Sequence, residues 1–88
     1  MTVGFSYREE LPEEFRLLSM LHNIGAVTPE RSLTVEEITK WTDLDTSAVR
    51  NQLQKLKESG YVQFIETDGI EKYHLTTTGI TKVLTLYS

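Results

Sequence analysis

The spacing of apolar residues near the start of the chain predicts a first helix. Phe15, Leu18 and Leu21 recur at intervals of three. They follow Pro12, a residue that suits a first helical turn because it has no backbone N–H to leave unpaired. The pattern predicts a helix from position 12 to about Gly25.

A capping box marks the start of a second helix. Thr34 and Glu37 have the Ser/Thr-x-x-Glu spacing in which each side chain bonds to the backbone amide of the other residue. Val35, Ile38 and Trp41 follow at intervals of three. We therefore expect a short helix of about two turns, with Trp41 making a core contact to the next helix.

The third predicted helix, over residues 46–59, has one apolar and one polar face. It ends before a glycine that supplies the left-handed position common at helix ends. At about 100° per residue, Val49, Leu53 and Leu56 fall on one side. The opposite arc carries Ser47, Arg50, Asn51, Gln54 and Glu58. One face therefore packs, and the other is offered to solvent or to a ligand.

Residues 61–66 and 71–75 are rich in β-forming side chains and flank Asp68-Gly69. This dipeptide is a strong signal for an antiparallel hairpin with a primed turn. The resulting register places Glu66 opposite Glu71, Phe64 opposite Tyr73 and Val62 opposite Leu75. One face of the hairpin is then an aromatic and aliphatic ladder that faces the core.

The end of the chain predicts a fourth, short helix. Three threonines at positions 76–78 offer N-caps, and apolar residues follow with the spacing of one helix face. These residues are Ile80, Val83, Leu84 and Tyr87. The predicted order is helix-helix-helix-strand-strand-helix, an α+β fold with a three-helix core, a two-stranded hairpin and a short C-terminal helix.

Composition indicates one small domain. A chain of 88 residues supports a single modest core, so we expect one domain over residues 12–88 after an acidic segment over residues 1–11. The absence of cysteine excludes disulfides and thiolate zinc sites, and makes an intracellular location the default. Because no apolar run exceeds two residues, the sequence predicts no membrane span and a cytoplasmic protein.

Charge is distributed unevenly along the chain. The net charge of -4 argues against a coat protein that binds nucleic acid without specificity, because such proteins are normally basic. Residues 46–60 nevertheless carry Arg50, Lys55 and Lys57 against a single carboxylate, Glu58. Any site for an anion is therefore expected in the third helix.

Little in the sequence indicates catalysis or metal binding. His22 and His74 are the only histidines, and neither has a partner at metal-ligand spacing. We expect both at the surface or half-buried. The sequence thus predicts no enzyme activity, no cofactor and no metal site.

Two runs of sequence carry a family resemblance. The first is Ala48-Val49-Arg50-Asn51-Gln52-Leu53, leading to Leu56 and Gly60-Tyr61-Val62. The second is Tyr73-x-Leu75-Thr76-x-x-Gly79. Over about residues 12–86 the chain resembles winged helix-turn-helix regulators of the MarR, ArsR and PadR type. The resemblance implies a small transcription regulator that binds double-stranded DNA, with helix 46–59 in the major groove.

Carried over residue by residue, the resemblance also implies a set of DNA contacts. The residues expected to face the bases are Ser47, Arg50, Asn51 and Gln54. The residues expected near phosphates are Thr46, Lys55 and Lys57, with Lys72 as the one cation of the hairpin. Arginine can donate two hydrogen bonds to guanine, and asparagine or glutamine can pair with adenine, so the side chains suit these roles.

The hairpin departs from the pattern of such regulators. Its tip carries Glu66, Asp68 and Glu71 against Lys72, and acidic groups near phosphates weaken DNA binding. Winged helices also serve as protein-interaction modules in replication, transcription and sorting complexes. A protein partner is therefore the alternative function.

Apolar residues of the last helix also suggest a homodimer. Ile80, Val83, Leu84 and Tyr87 would form the interface, and a dimer would present two recognition helices about 34 Å apart. The equal alternative is that these residues only close the core of the monomer.

Overall fold

The computed structural model describes residues 13–86, with side chains from residue 15 onward. The helices are α1 (Glu13–Asn23), α2 (Val35–Thr42), α3 (Thr46–Glu58) and α4 (Thr77–Leu86), with a 3-10 turn at Pro29–Arg31. The strands are β1 (Val62–Thr67) and β2 (Ile70–Leu75). This order confirms the prediction. The acidic segment over residues 1–11, the start at Pro12 and the interface residue Tyr87 lie outside the described residues.

The capping box of α2 forms as predicted. Thr34 Oγ1 accepts a hydrogen bond from the backbone amide of Glu37 at 3.1 Å, and Glu37 Oε1 accepts from the amide of Thr34 at 2.9 Å. The helix ends at Thr42, and the next residue, Asp43, has a φ of 59° that starts a tight turn. Asp45 then caps α3 by accepting from the amide of Ser47 at 3.0 Å. Local side-chain chemistry therefore fixes the turn between the two helices.

The predicted register of the hairpin is confirmed. Val62 pairs with Leu75, Phe64 with Tyr73 and Glu66 with Glu71. Asp68 and Gly69 both have positive φ, 54° and 78°, as a type I′ turn requires. The sequence did not predict that Leu33 would pair with Tyr73 through two backbone hydrogen bonds, which tie the hairpin to the segment before α2.

One core lies between the helices and the inner end of the hairpin. Its fully buried apolar residues include Leu17, Leu18, Leu21, Ile38, Val49, Leu53, Leu56, Val62, Leu75 and Val83. Phe64 and Tyr73 are half-buried, with ring centroids 5.6 Å apart. The ladder of the hairpin thus begins in the core and continues outward along one face.

The prediction that Trp41 packs in the core was wrong, since its side chain is 66% exposed. Three residues of helix advance by about 300°, so each step of three drifts about 60° from the starting face. Two such steps carry Trp41 well away from Val35. Thr42 lies nearer that face, is half-buried, and donates its hydroxyl to the carbonyl of Ile38 at 2.7 Å.

The prediction that His74 is at the surface or half-buried was also wrong, because only 2% of it is exposed. Its Nδ1 lies 3.2 Å from Ser32 Oγ, and its Nε2 lies 3.0 Å from Gln63 Nε2. Since the Ser32 hydroxyl donates to the carbonyl of Pro29, it accepts from Nδ1–H. Nε2 then accepts from Gln63, which assigns the neutral tautomer. Burial lowers the pKa of His74, and the charge of Glu30 partly opposes that shift.

Candidate nucleic-acid interface

Helix α3 presents a polar face opposite the core. Val49, Leu53 and Leu56 hold the helix in place because their side chains are fully buried. The exposed residues are Thr46, Ser47, Arg50, Asn51, Gln54 and Lys55. The predicted base-facing residues therefore share one accessible surface, supported from behind by packed apolar side chains.

Two residues of this face have a polar partner nearby. Gln54 Nε2 donates to Glu58 Oε2 at 3.0 Å, one helical turn further along. Arg50 Nη2 lies 4.0 Å from Glu36 Oε2, across the gap between α2 and α3. Both side chains of that pair are mostly exposed, at 63% and 76%. Arg50 is therefore accessible to a ligand although a carboxylate lies beside it.

The predicted phosphate contacts fall in different places. Lys55 is exposed on α3, whereas Lys57 is half-buried, with Nζ 4.7 Å from the centroid of the Phe64 ring. Lys72 is half-buried on β2. Because side chains alternate along a strand, Lys72 lies on the other face of the hairpin from Glu71 and Tyr73. The structure thus places Lys55 with the exposed residues of α3 and leaves Lys72 apart from them.

The hairpin carries carboxylates where it approaches α3. Glu66 and Glu71 are exposed and face each other across the two strands. Glu71 Oε1 accepts from the Tyr73 hydroxyl at 2.9 Å. Burial, this hydrogen bond and the charge of Glu71 raise the pKa of Tyr73, and the charge of Arg50 lowers it in part. The positive charge of Arg50 therefore acts on Tyr73 from across the space between α3 and the hairpin.

An open groove of about 450 Å³ separates the helices from the hairpin. Its walls carry Glu36 from α2, Arg50 from α3 and Glu66, Ile70 and Glu71 from the hairpin. Sequence reasoning missed Glu36, because a carboxylate in the first turn of a helix is ordinarily read as a partner of the helix dipole. Only the docking of α2 beside α3 reveals its contact with Arg50.

The candidate dimer residues are not all on the surface. Val83 is 1% exposed and belongs to the core of the monomer, so its predicted place at an interface conflicts with its burial. Ile80 is half-buried against that core. Leu84 is 57% exposed. In the described part of α4, Leu84 is therefore the main apolar residue that a partner could cover.

A family model described as "Bacterial regulatory protein, arsR family" matches residues 16–63, more than half of the chain. The chain belongs to the ArsR family. This ArsR-family protein is a small DNA-binding regulator of transcription with a winged helix-turn-helix fold, and its hairpin is the wing. No curated protein matches it in sequence.

Solved structures resemble the ArsR-family protein over most of its length. The DNA-binding TubR fragment from Clostridium botulinum is 28% identical, with a TM-score of 0.74, over 84% of this chain and 93% of the fragment. A MarR mutant from E. coli is 19% identical, with a TM-score of 0.74, over 97% of this chain and 62% of MarR. TubR from Bacillus megaterium is 16% identical, with a TM-score of 0.69, over 97% of this chain and 94% of that TubR chain. The last two likenesses show the fold alone.

No helix within residues 13–86 combines the length and apolar character needed to cross a membrane. In the same part of the chain, no three histidine, aspartate or glutamate side chains come together as ligands for a metal ion.

Proposed function

We propose that the regulator inserts α3 into the major groove of duplex DNA, with Ser47, Arg50, Asn51 and Gln54 at the base edges. The supporting observation is that these side chains are exposed on one face of a helix whose other face is buried. Arg50 offers two parallel N–H donors to guanine O6 and N7, and Asn51 or Gln54 matches adenine N6 and N7. The face therefore has the donors and acceptors that reading a sequence requires.

Contacts to phosphates would fix the register of α3 on the duplex. Thr46 is exposed at the first turn of the helix, and Lys55 is exposed further along. Lys57 would reach a phosphate by moving its ammonium off the Phe64 ring, where Nζ lies 4.7 Å from the centroid. Lys72 would contribute only where the duplex extends beyond the wing, since it lies apart from the exposed residues of α3.

The regulator is further proposed to act as a homodimer in the cytoplasm, without catalytic activity. Exposed Leu84 and half-buried Ile80 on α4 offer an apolar contact for a second copy. A two-fold dimer would place two α3 helices about 34 Å apart, which matches successive turns of the duplex on one face. Such a dimer prefers a nearly palindromic sequence.

An NMR titration with a mixed-sequence duplex of about 20 base pairs tests the placement of α3. We expect salt-sensitive amide shifts concentrated on residues 46–57, because DNA contacts release counterions from phosphates. The amides of Lys40 and Lys82, which lie on α2 and α4, serve as internal controls for a general response to the polyanion. Shifts spread equally over all lysines, or confined to the wing, would contradict the proposed role of α3.

A further inference from the structure

Arg50 is the one cation among the described residues that line the groove between the helices and the wing. Three carboxylates share the groove with it: Glu36, Glu66 and Glu71. The surface beside Arg50 is therefore acidic overall, although α3 itself carries more cations than carboxylates. This charge pattern is unfavourable for a phosphate at the position where the central arginine of α3 meets the duplex.

The carboxylates come from regular elements, so their positions relative to Arg50 are set by the fold. Glu36 belongs to the first turn of α2 and lies 4.0 Å from Arg50. Glu71 is held by the Tyr73 hydroxyl at 2.9 Å, and Glu66 is its partner across the strands. The groove that holds Arg50 thus carries negative charge on two walls, one from α2 and one from the wing.

The ion pair between Arg50 and Glu36 is too exposed to matter much for folding. Exposed pairs of this kind contribute little because water and salt screen them. A duplex that covers α3 removes much of that water, so the same charges act more strongly in the complex. Their effect therefore falls on binding, where it differs between a charged phosphate and an uncharged base edge.

We propose that Glu36, Glu66 and Glu71 determine sequence specificity by keeping Arg50 from phosphates and directing it to a base. The carboxylates repel phosphate oxygens, while guanine offers two neutral acceptors that a guanidinium can contact from one side. Arg50 then contributes little to binding on arbitrary DNA and strongly to binding on the preferred sequence. This inference rests on the proposed insertion of α3 into the major groove.

The test uses the full chain and two duplexes. Selection from a random duplex library gives the preferred sequence, and a scrambled duplex of equal length serves for comparison. Dissociation constants are measured for the wild type, Glu36→Gln and the double variant Glu66→Gln/Glu71→Gln at several salt concentrations. We expect each variant to bind the scrambled duplex about two- to fivefold more tightly, with a smaller change on the preferred duplex. On the scrambled duplex, the slope of the logarithm of affinity against the logarithm of salt concentration should steepen by about one, because Arg50 then makes one additional phosphate contact.

Two controls separate this effect from a general change in charge. Glu30→Gln removes one exposed carboxylate from the 3-10 turn, outside the groove. This variant should change the dissociation constants for the two duplexes by the same factor or leave both unchanged. In an Arg50→Met background, Glu36→Gln should no longer change the ratio of the two dissociation constants.

The outcomes distinguish this inference from the proposed function. If the α3 amides shift with DNA but the ratio stays unchanged in the groove variants, the inference is overturned and the placement of α3 stands. The same holds if Glu30→Gln reproduces the effect, or if the effect persists without Arg50. If the α3 amides do not shift at all, the proposed function fails and the inference with it.

Discussion

A Cβ atom added to Gly79 would lie 2.0 Å from the carbonyl oxygen of Tyr61. Helix α4 thus approaches the backbone at the start of the wing more closely than any side chain permits. Thr76 strengthens the junction, since its hydroxyl donates to the carbonyl of Gly60 at 2.7 Å and accepts from the amide of Gly79 at 3.0 Å. The Thr76-x-x-Gly79 run therefore has a physical basis, because its threonine bonds and its missing Cβ allow α4 to pack closely against the start of the wing.

Gly79→Ala is therefore expected to destabilise the fold. Alanine ordinarily stabilises a helix by up to about 1 kcal/mol relative to glycine. Here the clash with a backbone atom should outweigh that gain, for a net loss of about 1–3 kcal/mol. Urea unfolding followed by circular dichroism measures the change. Thr78→Ala, at an exposed position of the same helix, should stay within about 0.5 kcal/mol of the wild type. A Gly79→Ala protein as stable as the wild type would show that the junction can open without cost.

Stability is expected to fall in mild acid because His74 is buried as a neutral side chain. Its pKa in the folded protein lies below the ordinary value of 6.5. Below pH 6.5 the unfolded chain therefore takes up a proton that the folded protein does not, and the free energy of unfolding decreases as pH falls. The decrease ends once the pH drops below the pKa of His74 in the folded protein.

Two measurements check this dependence. The ring proton shifts of His74 should titrate below pH 6.5 in the folded protein. The free energy of unfolding should be lower at pH 5.5 than at pH 7.5, with a weaker dependence in His74→Gln. A His74 resonance that titrates at or above 6.5, or an equal pH dependence in the variant, would contradict the role assigned to His74.

Local sequence signals predicted the elements that the backbone and nearby side chains determine. Asp68-Gly69 adopts positive φ values that few residue pairs tolerate, so this dipeptide fixed the turn and with it the register of Phe64 on Tyr73. The reciprocal bonds of Thr34 and Glu37 likewise depend only on residues within one turn. Such signals are reliable because nothing distant has to be in place for them to act.

Other features depend on contacts between distant parts of the chain. The burial of His74 requires Ser32, which is 42 positions away, and Gln63 from the neighbouring strand. The contact of Glu36 with Arg50 requires that α2 and α3 pack side by side. The polar face of α3 was predictable from helical periodicity, but the carboxylates around it were not, since two of them belong to the wing.

Leu84→Glu is expected to weaken the proposed homodimer. The side chain is 57% exposed in the monomer, so a carboxylate there leaves the core intact but is costly at an apolar interface. Sedimentation equilibrium should show a dimer for the wild type at micromolar concentration and a monomer for the variant. Thr85→Glu, exposed at the next position, adds the same charge on a different side of the helix and should dissociate the dimer less. A wild type that stays monomeric, or equal effects of the two variants, would remove Leu84 from the interface.

Arg50 and Lys55 should differ in what they contribute to DNA binding, because one faces bases and the other phosphates in the proposed complex. Arg50→Ala should cost about 1–3 kcal/mol on the preferred duplex and relax the choice of base at one position. Lys55→Ala should weaken binding to all duplexes alike and reduce the salt slope by about one. Both side chains are exposed, so circular dichroism should show the fold intact. Fluorescence anisotropy at several salt concentrations, on preferred and scrambled duplexes, measures both quantities. If Arg50→Ala lowers affinity equally on the two duplexes, Arg50 binds phosphate and the base-reading role passes to Asn51 and Gln54.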